Sequence, residues 1–377
     1  MPIDPIELSR ELIAFNTINP PGNELSCIRH LEKILSDSGL ETSLQNFAPD
    51  RANLVARIGG VGRNPPLCFT GHVDTVPLGS APWSVDPFAG EIIDGKMYGR
   101  GSTDMKCGVA AFVAAIGNMT AQLEGTSGAI LVITAGEEIG CEGAFHLARA
   151  GILGPAGAII VAEPTSNAAL VGHKGALWLR LTLKGTTAHG SMPHLGINAA
   201  YKAARVITAL ETFQFNVAPH RYLGSPTLNV GTVHAGLNVN SVPDLAEIGV
   251  DIRSIPGLDH SRIREHLKAE LGEDVSLETI VDVGAVWTDP SLSWISGVYG
   301  IVRDVTGEEA GSEPRTAPYF TDASALTPAL GNPPTIILGP GEAAKAHQTD
   351  EYCSVQRIRE ASDIYARLAA KWSERSE

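Results

Sequence analysis

Leu67-Cys68-Phe69-Thr70-Gly71-His72-Val73-Asp74 begins as a short, mostly apolar run and ends on two side chains able to do chemistry. The same design returns twice downstream, where residues 130–134 lead to Glu137-Glu138 and residues 158–162 lead to Glu163. Brief apolar runs of this kind, partly β-branched, read as strands buried on both faces. Between the first and second runs lies a helical stretch at 105–116, so the alternation predicts an α/β sheet covered by helices. Upstream, apolar residues recur at helical spacing from position 4 to 40, broken by Asn19-Pro20-Pro21-Gly22. Two helices joined by a turn are expected there.

Downstream the pattern changes. Strand (177–183), helix (197–213), strand (227–233), strand (246–252), helix (260–271) and strand (275–281) follow in the order βαββαβ, the split βαβ sandwich. This predicts a small ferredoxin-like domain over residues 176–284, inserted into a larger, helix-covered mixed-sheet domain made of 1–175 and 285–377. The second part of the larger domain carries a strand at 335–338 and an amphipathic helix near 355–372.

The chain has 377 residues, a formal charge of −14 and 44% apolar residues, enough for two domains with their own cores and unlike a disordered protein. A negative balance without any Lys/Arg cluster argues against nucleic acid as a partner. The longest apolar stretches, such as 109–116, stop short of the ~20 residues a membrane span needs, so no membrane partner is expected. Met1-Pro2-Ile3-Asp4-Pro5 lacks a basic head followed by an apolar core, which predicts a cytoplasmic location. Cys27, Cys68, Cys107, Cys141 and Cys353 are odd in number, scattered and without a CxxC pair, which suits a reducing compartment and offers no thiolate metal site.

In an open α/β sheet, ligands bind at the carboxyl ends of strands. His72, Asp74, Asp104, Glu137, Glu138, Glu163 and, far downstream, His347 can therefore converge on one place. Carboxylates and imidazoles gathered away from water need positive charge between them. Asp104, Glu138 and Glu163 supply three negative charges, which two divalent ions balance together with a bridging hydroxide. Ligation by His and carboxylate favours Zn(II) and is compatible with Co(II) or Mn(II). Residues two apart on a strand share a face, so Asp74 is expected to accept the second ring N–H of His72 and fix the ring. Adjacent Glu137 and Glu138 suit two different roles, one ligating and one carrying protons for a water whose pKa the ions draw toward ~7.

Five segments carry a resemblance: Gly71-His72-Val73-Asp74-Thr75-Val76-Pro77, Tyr98-Gly99-Arg100-Gly101-Ser102-Thr103-Asp104-Met105-Lys106, Gly136-Glu137-Glu138-Ile139-Gly140, Ala162-Glu163-Pro164, and Gly339-Pro340-Gly341 with Ala346-His347. Together, and in this order over nearly the whole chain, they resemble the family of acetylornithine deacetylase, succinyl-diaminopimelate desuccinylase, aminoacylase and carboxypeptidase G. The resemblance implies that His72, Asp104 and Glu163 hold one zinc and that Asp104, Glu138 and His347 hold the other, with Asp104 bridging and Glu137 as general base. It also implies that the inserted domain is a lid or dimerisation domain whose His189, in preference to His194 five residues on, reaches the partner subunit's site and polarises the scissile carbonyl. Asn240 and Arg253 take the family's substrate-binding positions, Arg253 being suited to a bidentate grip on an α-carboxylate unless Asp251 or Asp244 claims it. Gly339 and Gly341 would offer backbone N–H groups to the same end of the substrate.

The activity so implied is hydrolysis of the amide of an N-acyl amino acid by a homodimer. A dipeptidase or carboxypeptidase acting on a short peptide is the neighbouring alternative, and a catalytically silent small-molecule binder is the non-enzymatic one. A silent relative should have lost a ligand or Glu137, and all are present. A dinucleotide binder needs GxGxxG between strand and helix, which Gly99-Arg100-Gly101 followed by Ser-Thr-Asp does not supply.

Overall fold

The computed structural model describes residues 2–62, 64–308 and 313–374. The strand Leu67–His72 is buried along its whole length and lies between two parallel neighbours, Ala129–Thr134 and Ala158–Val161. Thr335–Ile337 runs parallel to Ala158–Val161 on the far side. These four strands therefore release their following residues at one edge of the sheet, the edge where open α/β folds bind ligands. Arg51–Ile58 joins antiparallel to Ala129–Thr134, and Glu41–Ala48 pairs antiparallel with it in turn, so the sheet is mixed as expected.

Glu41–Ala48 has no counterpart in the sequence reading. It is paired on one side only and alternates between exposed and half-buried residues, so it lacks the apolar run that betrays a doubly buried strand. A small sheet of Ile92–Ile93, Lys96–Tyr98 and Tyr352–Ser354 is likewise too short to leave a period.

Two helices, Pro5–Ile13 and Leu25–Asp37, flank the Pro-Pro-Gly turn. The first starts where the Asp4 carboxylate accepts from the Ile6 N–H at 2.7 Å and Pro5 occupies the opening helical position. The helix Cys107–Gly117 is buried on nearly every face. Its Phe112 stacks on Phe69 of the central strand at 6.2 Å, and Tyr365 of the last helix, Val355–Glu374, meets the same ring edge-on at 5.6 Å. The Tyr365 hydroxyl donates to the Leu338 carbonyl, so the closing helix is tied to the strand end that precedes Gly339.

The chain divides into two compact units: Met1–Gly172 with Trp287–Thr316 and Thr321–Glu377, and His173–Val286 with Ala317–Phe320. The second is the βαββαβ sandwich. Its antiparallel sheet runs Thr227–Ala235, Leu245–Ser254, Gly175–Lys184, Val275–Val283. Leu177, Leu179, Leu181 and Leu183 alternate along the third of these and join Val206, Leu210, Ile263 and Leu267 of the two helices in one core. His260 ties three elements of this unit, its Nδ1 lying 2.6 Å from Asp282 Oδ1 and its Nε2 2.7 Å from Ser254 Oγ. Ser254 is fully buried, so this Ser-His-Asp line is a brace and not a nucleophile.

The helix Cys107–Gly117 approaches the sheet so closely that a Cβ on Gly108 would stand 2.3 Å from the Ala162 carbonyl oxygen, immediately before Glu163. Backbone on both sides leaves no side chain free to yield. Gly108→Ala should therefore destabilise the protein by roughly 1–3 kcal/mol, seen as an earlier midpoint in urea unfolding at unchanged slope.

Candidate metal centre

His72 closes the central strand and is 1% exposed. Its Nε2 lies 3.2 Å from Asp104 Oδ1 and 3.7 Å from Glu163 Oε1. On the other side of Asp104, His347 Nε2 lies 3.3 Å from Oδ2 and 3.2 Å from Glu138 Oε2. One aspartate thus faces two sets of donors, His72 with Glu163 and Glu138 with His347, and within each trio the donor atoms lie within 4.8 Å of one another. The backbone leaves helical geometry at Asp104 and Met105, across a cis peptide, before the buried helix begins at Cys107.

Two observations suit this set to cations. The His72 Nδ1–H donates to the main-chain carbonyl of Asp74 at 3.0 Å, which orients the ring and makes Nε2, the nitrogen facing the carboxylates, the one a cation would take, the usual arrangement of a ligating imidazole. Glu138 Oε1 is buried without a hydrogen-bond partner, an acceptor that a cation would satisfy and that no nearby N–H does. Nitrogen and carboxylate oxygen donors without sulfur fit Zn(II), Co(II) or Mn(II) alike.

The electrostatics point the same way. Burial, reinforced by the negative charge of Asp104, holds the Glu163 carboxyl well above the ordinary carboxylate range. Glu137, 6% exposed, is pushed up by burial and by Glu163 and Glu138 beside it. Burial opposes charge on His72, but the carboxylates of Asp104, Asp74 and Glu163 around it outweigh that and raise the imidazole. Asp74 goes the other way. Burial would raise it, yet His72, Asn19 and the Glu137 N–H hold its carboxyl below the usual value.

Asp74 differs from expectation in what its carboxylate holds. The side chain stands 3.5 Å from His72 Nδ1, whose proton goes to the main chain instead. Its Oδ1 accepts from the Glu137 N–H and its Oδ2 from the Glu138 N–H, each at 3.2 Å, while Asn19 Nδ2 donates to Oδ2 at 3.0 Å. The carboxylate therefore grips the turn that bears both glutamates. Behind that turn, Arg51 joins Glu24 at 2.9 Å and Glu142 at 2.7 Å. Asn19, read only as part of a turn, and the Glu24–Arg51–Glu142 chain carry no period or motif that marks them in sequence.

His189, Asn240 and Arg253 lie in the smaller unit. His189 and Asn240 are neighbours there, the Gly190 N–H donating to the Asn240 carbonyl at 2.8 Å and His189 Nδ1 lying 2.7 Å from Ser191 Oγ. Arg253 is engaged by Asp251 at 3.0 Å and flanked by the rings of Trp178 and Phe320, so the competing ion pair is the contact made. In the larger unit, Gly339 donates its N–H to Thr165 Oγ1 at 3.0 Å, which removes that group from the substrate-facing role expected of it. Both Gly339 and Gly341 answer a packing need: a Cβ on either would stand 2.1 Å from a backbone carbonyl oxygen, of Ala162 and of Thr103 respectively.

The raised groups fix the sign of a pH effect. Glu137, Glu163 and His72 hold protons more tightly in the folded chain than in the unfolded one, so their contribution to stability is present at low pH and is lost as pH rises above their ordinary values. Asp74 and Asp104, both lowered, work in the opposite sense: their contribution is present above the ordinary carboxylate range and is lost only in acid solution. Protein stripped with EDTA should thus melt lower at pH 8 than at pH 5.5. Zn(II) at a hundredfold excess over its dissociation constant should restore about 2.7 kcal/mol and narrow the gap. A stripped protein whose melting ignores both pH and zinc contradicts this account.

The comparisons with known proteins agree with the geometry. The model of the family described as peptidase family M20/M25/M40 matches residues 68–371. A succinyl-diaminopimelate desuccinylase of Parvibaculum lavamentivorans is 32% identical, covering 97% of this chain and 94% of its own. A probable succinyl-diaminopimelate desuccinylase of Staphylococcus epidermidis is 30% identical over 96% of both. Among solved structures, an M20 family metallo-carboxypeptidase of Sulfolobus solfataricus shares the fold with a TM-score of 0.83 at 18% identity, over 98% of this chain and 99% of that one. A dinuclear metal binding peptidase of the M20 family from Bacillus subtilis does so at 0.71 and 16%, over 98% of each. A family match spanning residues 68–371, with relatives 30–32% identical over nearly the whole chain, makes this chain a member of peptidase family M20/M25/M40 and a hydrolase of amide bonds.

Proposed function

We propose that the protein is a dinuclear-zinc deacylase that hydrolyses the amide of an N-acyl amino acid, of the acetylornithine or succinyl-diaminopimelate type. The observation that carries this reading is Asp104 set between two His/carboxylate trios, with Glu137 buried beside them. His72, Asp104 and Glu163 would hold one ion, and Asp104, Glu138 and His347 the other. Bound there, the ions supply Lewis acidity, acidifying water and polarising the scissile carbonyl.

The protein's own residues do the rest. Glu137 takes a proton from the attacking water as its oxygen bonds to the acyl carbon. It then delivers that proton to the amide nitrogen as the carbon–nitrogen bond breaks, leaving a carboxylate and an amine. A carboxyl lifted by burial above the ordinary carboxylate range gives up its proton less readily, which suits it to hold one between the two halves of that transfer. Asp74 keeps the turn beneath Glu137 from drifting, through the two N–H groups it accepts.

His189 is proposed to polarise the carbonyl oxygen from a partner subunit, its Nδ1 contact with Ser191 leaving Nε2 for that oxygen. A homodimer is further supported by Leu237 and Val239, fully exposed apolar side chains just past the strand Thr227–Ala235 at the edge of the smaller sheet. Arg253 and Asn240 remain the proposed substrate-binding pair, with Asp251 holding the guanidinium until a carboxylate competes for it. No described helix is long and apolar enough to cross a membrane, and all five cysteines are buried and unpaired, which supports the cytoplasmic reading.

Glu137→Gln should retain two zinc ions per chain while turnover falls by roughly 10²–10⁴-fold. Released amine from a panel of N-acetyl, N-formyl and N-succinyl amino acids and short dipeptides identifies the acyl class. Turnover of the dipeptides alone would replace the deacylase reading with a peptidase one.

A further inference from the structure

Arg100 and Glu351 form an ion pair in which each side chain is 1% exposed, and neither belongs to the trios of donors. Glu351 Oε2 accepts from Arg100 Nη1. Glu351 Oε1 accepts from the main-chain N–H groups of Thr103 at 2.9 Å and of Asp104 at 3.1 Å. Arg100 Nη2 donates to the Pro77 carbonyl at 3.1 Å and, at 3.5 Å, to the carbonyl of His347. The guanidinium lies 5.2 Å from the centre of the Trp83 ring. One pair of side chains thus holds the main chain of the segment after His72-Val73-Asp74, of the segment bearing Asp104, and of the segment bearing His347.

Such a pair is a poor device for stability alone, because charges are costly to bury and apolar residues of similar volume often serve as well or better. What apolar residues cannot supply is a set of directed hydrogen bonds to backbone groups on either side of a ligand. We infer that Arg100 and Glu351 are positioning residues that set the separation of Asp104 and His347, so that the Asp104–Glu138–His347 trio closes on a divalent cation. The inference rests on the metal-binding reading of that trio.

The test is zinc titration of the EDTA-stripped full chain against a competing chelator, with a thermal melt on each sample. The double variant Arg100→Met/Glu351→Met replaces the pair with apolar side chains. It should melt cooperatively, yet at least one of its two zinc-binding steps should weaken by roughly 10–100-fold, the usual cost of removing a group that orients ligands. Arg100→Lys keeps the charge and loses the fork, and should weaken the same step. It also carries the test if the double variant does not fold. Wild-type zinc affinity at both steps in the folded variant makes the pair merely structural and overturns the inference. Fewer than two zinc ions on the wild-type chain removes the metal reading itself, and the inference with it, which keeps the two failures apart.

Discussion

Asp104 faces an imidazole on either side, His72 at 3.2 Å and His347 at 3.3 Å, and Glu138 and Glu163 close in behind them. Negative charge at this density, most of it away from water, is tolerable only when positive charge sits within a few ångströms. Two protonated imidazoles go part of the way. They leave Glu138 Oε1 without a partner and Glu163 and Glu137 pressed toward the neutral form. A pair of cations resolves all of these at once, so the need for compensating charge shapes the centre more than any single contact does.

That need falls on the scaffold as a problem of placement. Four parallel strands bring His72, the Glu137-Glu138 turn, Glu163 and the segment leading to His347 to one edge, but a strand end alone does not fix a side chain to a fraction of an ångström. The finer placement comes from buried polar groups reaching between segments. Asp74 spans from the His72 strand to the two glutamates, and Arg51 links Glu24 to Glu142 behind them. Each of these contacts ends on a backbone N–H or a charged partner, the bonds with the most directional strength.

The parts written in runs and motifs are those a reader of the sequence can find. Residues 130–133 are apolar, so the glutamates that follow stand out, and the alternation of Leu177, Leu179, Leu181 and Leu183 marks a half-buried strand without ambiguity. The side chains that act between segments are not legible in this way. Periodicity placed Asp74 on the same face as His72 but could not say that N–H groups from a turn some sixty residues on would claim its carboxylate. Asn19, Arg100 and Glu351 are silent for the same reason, since their partners lie tens to hundreds of positions away. Glu41–Ala48 was missed because an edge strand need not be apolar, and the bond from Gly339 to Thr165 because a motif names a residue without saying where its N–H points.

The interruption of the larger unit by the βαββαβ sandwich has a consequence for how a cell makes this protein. Most donors leave the ribosome early, whereas His347 and Glu351 emerge only after the entire insertion has been translated. A nascent chain therefore carries one trio, His72 with Asp104 and Glu163, complete in sequence before the insertion is made, and the other short of its histidine until afterwards. Because domains fold as units during translation, the inserted sandwich can mature on its own while the remainder waits for its final segment. The second trio is thereby completed only by the final segment, so a product truncated before His347 lacks one of its donors.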